Sequence, residues 1–510
     1  MKHDVIVIGA GPVGATAALL LAQHGLSVGL AEGRTTPSAR LGAVSVDDEA
    51  LRIWQSCGLE HLITPFWASG TSGDPMCKYQ DARGRVFLTL RQSISDLGYP
   101  HAVVIHQASL LETLWNQINR VPAISFMKGT ELTSLTQSDG EVIVQLRDGH
   151  GSMRELSASH LVACDGSRSR ARQLAGISMP ILDLPGHWLV VDIEDDPGQH
   201  VVDIRCSTDD TAVTVPIPGG LRRIEKLLPN HDANDWIDDD QQVRARLEEF
   251  WPRARDSRII DRSIFRFSAG IAERWKVGRV FLAGDAAHVT PPFAGQGLGM
   301  GLRDASNLSF KIAGVNHGWL NEDVLVSYEQ ERLPHQQRVL NLALRLGRLM
   351  TPSSRWRSSV EQSLVRVLSE CEPVRRHLEM RGPGIRPVYR TGYLGNGSKA
   401  GQYLPQPYVN TPCGQKRLDE LLGSRMTWLA IGNGMRPGDV SRMATSQSDT
   451  LLIEGIDFED PEHKLQRTFG RSSSVLVRPD RVVHTHIPCK HFGLSITRRS
   501  QWRTSHPQLA

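Results

Sequence analysis

Residues Asp4-Val-Ile-Val-Ile-Gly9-Ala-Gly11-Pro-Val-Gly14 form a β-branched run that stops at a glycine, and Ala15-Thr-Ala-Ala-Leu-Leu-Leu-Ala-Gln23 follows with good helix formers throughout. The pattern predicts a strand, a tight turn and a helix. Within the turn, Gly9, Gly11 and Gly14 keep the Gly-x-Gly-x-x-Gly spacing. The first glycine turns the chain, the second lets backbone approach a pyrophosphate, and the third packs helix against strand. The helix N-terminus then faces the phosphates. A second strand, Ser27-Val-Gly-Leu-Ala31, ends at Glu32, roughly 20 residues beyond the glycines, where a carboxylate accepts hydrogen bonds from ribose hydroxyls. The competing reading is a tight strand-turn-helix unit that binds nothing.

This fingerprint does not separate NAD from FAD; the decision rests on Gly278-Arg-Val-Phe-Leu-Ala-Gly284-Asp285-Ala-Ala-His288. Val280 to Ala283 reads as a buried strand, and the Gly284-Asp285 pair after it offers a carboxylate to the polyhydroxy ribityl chain that a flavin has and NAD lacks. Pro291-Pro292-Phe-Ala-Gly295-Gln-Gly297-Leu298-Gly-Met-Gly301 is a glycine-rich entry to a helix expected from about Leu302 through Ile312. Its free backbone N–H groups suit negative charge on a reduced flavin ring. Cys164-Asp165-Gly166-Ser-Arg-Ser169 follows a strand ending at Cys164 and, taken alone, is a turn with a helix cap. Gln107, after Val103-Val-Ile-His106, is by itself an ordinary helix-start residue.

Three motifs in this order resemble the single-component, class A FAD-dependent aromatic hydroxylases typified by para-hydroxybenzoate hydroxylase. The resemblance implies bound FAD, with NADH or NADPH as co-substrate, dioxygen as oxidant and a small aromatic molecule as substrate. It makes Asp165 part of a motif shared between FAD and NAD(P)H binding, Gln107 a flavin contact, Arg40 a pyrophosphate contact, and Pro292 a residue whose carbonyl faces the substrate. Gly295, Gly297 and Leu298 join the cofactor set by their place in the same segment. Closer resemblance is to the 3-(3-hydroxyphenyl)propionate and 3-hydroxycinnamate hydroxylases. It is carried by Val46-Asp-Asp-Glu-Ala-Leu-Arg52, Pro218-Gly-Gly-Leu-Arg-Arg223, Arg303-Asp304-Ala-Ser-Asn307 and Arg478-Pro-Asp-Arg481. That family hydroxylates a phenol ring next to its existing hydroxyl, in aromatic catabolism. Gly299 departs from the pattern, standing where many members carry asparagine, and the loop from Arg40 to Ser45 does not align cleanly.

The fold class expected is α/β: a Rossmann-like FAD-binding domain (1-180 and 275-330) with an inserted mixed-sheet substrate domain (181-274). A helical connector (331-395), a thioredoxin-like C-terminal domain (396-486) and a tail (487-510) complete it. The helical pattern runs from about Tyr328 to Leu378, with Pro334 inside it. No catalytic base is named by the sequence: His288 reads as structural, while Arg205, Arg222 and Arg223 are candidates to pair a substrate carboxylate.

Composition narrows the partners. The 510 residues carry 58 basic and 55 acidic side chains, net +3, a balance that argues for neither nucleic acid nor anionic membrane. Val5 to Leu21 is apolar, but its glycines and proline exclude a membrane span. Seven isolated cysteines, without a Cys-x-x-Cys pair, exclude a readable metal site and suit a reducing cytoplasm. A homodimer is the default for assembly, for which no residue argues. Two rivals stand beside the hydroxylase reading: a flavin monooxygenase of larger polyketide or antibiotic-type phenols, and a non-catalytic flavin-binding module.

Overall fold

Val5, Ile6 and Val7 are completely buried, as are Val280, Phe281 and Leu282, so these strands have apolar neighbours on both faces, the signature of a parallel sheet sandwiched between helices. The computed structural model describes residues 1–38, 41–64, 67–68, 72–194, 201–228, 236–352, 354–374, 384–432 and 448–488. The chain divides into two units, Met1–Tyr393 and Leu394–Ala510.

In the first unit, Val280–Leu282, Met153–Ala163, Lys2–Ile8, Val28–Glu32 and Ile124–Lys128 lie side by side, all parallel. Register pairs Ile8 with Ala163 and Ala163 with Leu282. Gly9, the Cys164-Asp165-Gly166 turn and the Gly284-Asp285 pair therefore leave three adjacent strands at one carboxyl edge, where ligands of open α/β sheets bind. Asp139-Gly140 lies in the turn that joins Thr130–Gln137 to Val142–Asp148 as an antiparallel hairpin.

The helix after the glycine-rich segment spans Gly297–Asn316, starting five residues before the expected Leu302. Gly297, Gly299 and Gly301 thus join Gly314 inside it, at about 1 kcal/mol each relative to alanine for a helix interior. Close packing accounts for two of them. A Cβ on Gly301 would stand 2.5 Å from a Val13 methyl, and one on Gly299 would stand 3.1 Å from the Asp47 carboxylate.

A second sheet runs Ile259–Phe265, His187–Glu194, Leu221–Leu228, Ala212–Ile217, Val202–Arg205, Pro75–Gln80, Val86–Arg91. The region 181-274 supplies only five of these strands. The hairpin from residues 75–91 covers the otherwise open edge of Val202–Arg205, pairing with it in parallel, which removes an exposed strand edge. Alternation splits the sheet cleanly. Leu189, Val191, Ile193 and Ile224 pack on Val243 and Leu247 of the Asp240–Glu248 helix, while Cys77, Tyr79, Ile204, Val213 and Val215 turn to the opposite face.

Among the described residues, the helical stretch beyond includes two long helices, Val326–Met350 and Arg355–Glu370. The break follows Thr351-Pro352, since proline disfavours helical backbone in the residue before it. Pro334 lies within the first helix; its missing N–H leaves the Gln330 carbonyl without a helical donor, and the Thr391 hydroxyl donates to that carbonyl at 3.2 Å.

The second unit centres on the sheet Ser448–Ile453, Met426–Ile431, Ser473–Val477, Val483–Pro488, with its first pair parallel and the others antiparallel. Leu429, Val475, Phe458 and Leu465 fill its core. Arg478, fully buried, donates to Asp480 through both Nε and Nη2. The terminal stretch 489–510 lies outside the described residues. Among the described residues, no helix is long and apolar enough to cross a membrane.

Candidate active site

One cavity of about 620 Å³ runs along the carboxyl edge of the parallel sheet and onto the inner face of the seven-stranded sheet. Its first part is backbone. Gly9, at φ +93°, has the Cys164 carbonyl where a Cβ would be, 2.5 Å away. A Cβ on Gly14 would meet the Gly9 carbonyl oxygen at 1.9 Å, whereas one on Gly11 would meet nothing within 4 Å. Two of the glycines are thus required by packing, and the third leaves open space facing the cavity. The Pro12–Gln23 helix that starts there has no side-chain cap, so its first N–H groups are available to an anion.

Glu32 does not line the cavity; its carboxylate accepts from the N–H groups of Ala10 (2.8 Å) and Arg34 (3.0 Å), fixing the glycine turn. Gln107 does line it, and its Oε1 accepts from the Ala43 N–H at 2.7 Å. Asp165 faces away: one oxygen accepts from the Ser169 hydroxyl at 2.5 Å and the other from the Ala171 N–H at 3.0 Å, while neighbouring Cys164 and Gly166 reach the cavity. Arg40 lies outside the described residues. The geometry therefore gathers Gly11, Gln107, Asp285, Pro292, Gly295, Gly297 and Leu298 around the cavity. Gly9, Gly14, Glu32, Asp165 and Gly284 shape the turns behind it.

Asp285 projects into this space, and burial pushes its carboxyl above the usual range against the pull of His288. The residue that organises the segment is Asp304, fully buried. It accepts from the Gly284 N–H at 3.1 Å and from Arg332 Nε at 2.8 Å, and pairs with His288 Nε2 at 2.7 Å. Burial opposes its ionisation, but Arg332 and His288 hold it below the ordinary carboxylate value. His288 is buried and stacks on Trp275, with 5.2 Å between ring centres. Gly295, at φ +61°, ends a short 3-10 turn over Pro292–Ala294, and the following Gly297–Asn316 helix again begins without a side-chain cap.

A polar wall joins the two parts. Arg303 donates to both Asp47 and Glu49, and Arg386 donates to Asp48 at 2.8 Å. Three buried carboxylates thus face two guanidiniums, and burial pushes Glu49 up to about 7 despite Arg303 beside it.

The far part is aromatic and aliphatic. Trp188, Phe267 and Phe293 form a three-ring cluster with centroids 5.2–5.8 Å apart, and Val190, Val213, Val215 and Ile204 continue the surface. Of the three candidate arginines only Arg223 lines the cavity, and both ends of its fork are taken by Asp192, at 2.8 and 2.9 Å, with Nη1 donating to the Gly42 carbonyl. Arg222 points to the other face, its guanidinium 4.2 Å over Trp251, and Arg205 pairs with Asp210. Sequence reasoning passed over Asp304, Arg303 and Glu225. Alternation alone places Glu225 on the face of Arg223, two residues along the same strand.

An uncapped helix terminus beside an open glycine, a carboxyl open to the cavity after a parallel strand and a second uncapped terminus along one cavity suit a pyrophosphate, a ribityl chain and a flavin ring in turn. The FAD binding domain family matches this chain over residues 2–343. A 3-(3-hydroxy-phenyl)propionate/3-hydroxycinnamic acid hydroxylase of Klebsiella pneumoniae subsp. pneumoniae is 31% identical over 452 residues, covering 86% of this chain and 80% of the relative. Among solved structures, the flavin-dependent monooxygenase PieE in complex with FAD and substrate superposes with TM-score 0.81 at 20% identity over 96% of both chains. OxyS anhydrotetracycline hydroxylase from Streptomyces rimosus gives 0.77 at 24% over 95% of both. The two structures share the fold. With the family match spanning most of the chain and the hydroxylase relative nearly all of it, the chain belongs to the FAD binding domain family and is a class A FAD-dependent aromatic monooxygenase with NAD(P)H as co-substrate.

Proposed function

We propose that the protein hydroxylates a phenolic ring ortho to its hydroxyl, on a substrate of the 3-hydroxyphenylpropionate or 3-hydroxycinnamate type, as a cytoplasmic enzyme of aromatic catabolism. The observation that carries the ring chemistry is the continuity of the cavity from Gly11 and Asp285 to the Trp188, Phe267 and Phe293 cluster; the printed name of the relative supports the substrate class. FAD, when bound, supplies the chemistry that takes two electrons from NAD(P)H and activates dioxygen. One oxygen atom replaces a ring hydrogen as hydroxyl and the other leaves as water. The chain's part is to hold and orient. Gly11 and the Pro12–Gln23 helix terminus receive the pyrophosphate, with Gly9 and Gly14 shaping the turn, Arg40 beside it and Glu32 near the ribose. Asp285 and Gly284 hold the ribityl chain. Gln107, Pro292, Gly295, Gly297 and Leu298 border the flavin ring, and Asp165 braces the turn where the nicotinamide co-substrate approaches. The aromatic cluster excludes water from the reacting ring. Residues 1-180 and 275-330 make the FAD domain, 181-274 with the 75–91 hairpin the substrate domain, and 396-486 a thioredoxin-like domain.

A second reading, a bulkier phenol of polyketide or antibiotic type, is favoured by one feature. Among the described residues, the three arginines that line the cavity are all paired with carboxylates, Arg223 with Asp192, Arg303 with Asp47 and Glu49, and Arg386 with Asp48. A substrate carboxylate therefore meets no described arginine in this cavity whose charge is not already countered.

The deciding experiment follows NADH and NADPH oxidation by the yellow, FAD-loaded protein with and without 3-(3-hydroxyphenyl)propionate, with product mass measured. Stimulated oxidation and a gain of one oxygen establish the first reading. Bound FAD without stimulation by this acid, but with stimulation by bulkier uncharged phenols, establishes the second.

A further inference from the structure

We propose that Glu225 accepts the phenolic hydroxyl of the substrate and takes its proton as the ring is attacked, an assignment that rests on the phenol reading of the same cavity. The argument starts from strand register. Glu225 stands opposite Val190 on one neighbouring strand and Val213 on the other, so its carboxylate emerges in an apolar row. One pleat period away, about 6.7 Å, lies the row of Trp188 and Phe265. The same distance in the other direction lies the row of Asp192, Arg223 and Val215. Glu225 is thus placed between an aromatic surface and an ion pair that is already closed.

A carboxylate in such a row is expensive unless something hydrogen-bonds it. Among the described residues nothing does: Arg223, the nearest cation, directs Nε and Nη2 to Asp192 and Nη1 to the Gly42 carbonyl. The side chain nevertheless lines the cavity. Burial pushes its carboxyl up from the ordinary glutamate value, against the pull of Arg223, which moves it toward the range in which a general base works best. The other titratable groups on this sheet face are Asp192 and Arg223, paired with each other, Asp261 opposite Asp192 on the outer strand, Glu194 at the strand end, and Cys77, Tyr79 and Cys206, whose protons burial retains. His106, behind Arg223, is kept neutral to lower pH by burial. A phenol lying against Trp188 presents its hydroxyl to Glu225, the carboxylate of this row that lines the cavity. In the step itself the O–H bond breaks, its proton moves to the Glu225 carboxylate, and the electron pair left on oxygen raises ring density at the ortho carbon that receives the new oxygen atom. The hydrogen on that carbon then leaves as a proton when aromaticity returns.

The test uses the FAD-loaded full chain with Glu225→Gln and Glu225→Leu, after FAD content and thermal stability confirm that both fold. First, 3-methylphenol and its methyl ether are titrated against each protein through the flavin absorbance change. The wild type prefers the phenol, and the Leu variant loses that preference, roughly tenfold to hundredfold. A wild type without the preference, or a Leu variant that keeps it, overturns the assignment. Second, hydroxylated product is measured with 3-methylphenol and with a more acidic ring-fluorinated analogue. Glu225→Gln slows the first by about 10²–10⁴, slows the second less, and recovers as pH approaches the phenol's own pKa of about 10. Equal losses with both phenols at every pH show a merely structural role and overturn it. Loss of the wild-type phenol preference in Glu225→Leu, in a protein that forms no hydroxylated product, supports Glu225 as the hydroxyl acceptor and sinks the phenol-hydroxylation reading instead.

Discussion

Replacing Arg303 by Met tests the charge arithmetic of the polar wall. Arg303 is 3% exposed and donates to Asp47 and Glu49, themselves 6% and 2% exposed. Met fills similar volume but leaves two buried carboxylates without their shared cation, and breaking a buried pair from one side costs about 3–5 kcal/mol. Unfolding entropy of about 2.1 cal/mol/K per residue over the 393 residues of the first unit comes to about 0.8 kcal/mol/K. The expected fall in Tm is therefore about 4–6 °C. The size depends on pH with a defined sign. Glu49 is raised to about 7 by burial, so the folded protein keeps a proton that the unfolded chain releases above the ordinary glutamate value. This contribution to stability is full below that value and disappears as pH rises through 7. Without Arg303, the carboxylates left behind hold protons to still higher pH, and each added proton steepens the loss by about 1.4 kcal/mol per pH unit. Thermal unfolding of the FAD-loaded variant and wild type, compared at mildly acidic and mildly alkaline pH, reads both effects. The Tm gap widens as pH rises; a gap that stays constant or narrows refutes the claim that burial of carboxylates, rather than lost packing, sets the cost.

Four further outcomes follow from the same geometry. Glu49→Gln removes the proton uptake just described, so the fall in stability toward pH 7 seen in the wild type flattens in a Tm-versus-pH series. Gly14→Ala puts a Cβ where the Gly9 carbonyl oxygen lies, 1.9 Å away, and purified protein should lose most of its flavin absorbance; full FAD content would mean the turn adapts. Glu32→Ala removes charged acceptors from the Ala10 and Arg34 N–H groups, worth about 1.5–3 kcal/mol for a charged hydrogen bond, so the FAD Kd measured by flavin fluorescence should rise roughly 10- to 100-fold. Trp188→Ala opens the three-ring cluster to water, and less hydroxylated product should form per NAD(P)H oxidised, whereas unchanged coupling would remove Trp188 from the substrate wall.

The cofactor edge was legible because its determinants are local. A glycine that must be glycine is marked by spacing, and Gly9, Asp165 and Asp285 each follow a strand readable from a few residues, so their meeting at one edge needs only the parallel order. What stayed hidden depends on residues far apart in the chain. Nothing near residues 75–91 announces that they complete a sheet built mainly beyond residue 181, because the pairing of Pro75–Gln80 with Val202–Arg205 satisfies an edge that only the folded sheet possesses. The glycines at 297, 299 and 301 read as a loop since their intrinsic preference opposes helix; Val13 and Asp47, which crowd Gly301 and Gly299, lie in other segments. Asp304 looked like one polar residue in a helix, and its importance comes from Gly284, His288 and Arg332 converging on it.

Leu221–Leu228 was half legible, and the half that was missing decides the chemistry. Adjacent strand residues point to opposite faces, so Arg222 and Arg223 cannot both meet a substrate, whichever face is inside. The sequence contains no statement of which face that is. The Asp240–Glu248 helix supplies it: Leu189, Val191 and Ile224 pack beneath the helix, which sends Arg222 outward over Trp251 and turns Arg223 to the cavity. The same parity carries Glu225 inward with Arg223, as a carboxylate among Val190, Val213 and Trp188. A candidate carboxylate-binding pair in the sequence thereby becomes, in the fold, a single arginine already held by Asp192 and an acid that has yet to meet its donor. On the proposed role of Glu225, the substrate feature this wall recognises is a hydroxyl, and selectivity for an acidic side chain arises elsewhere along the cavity.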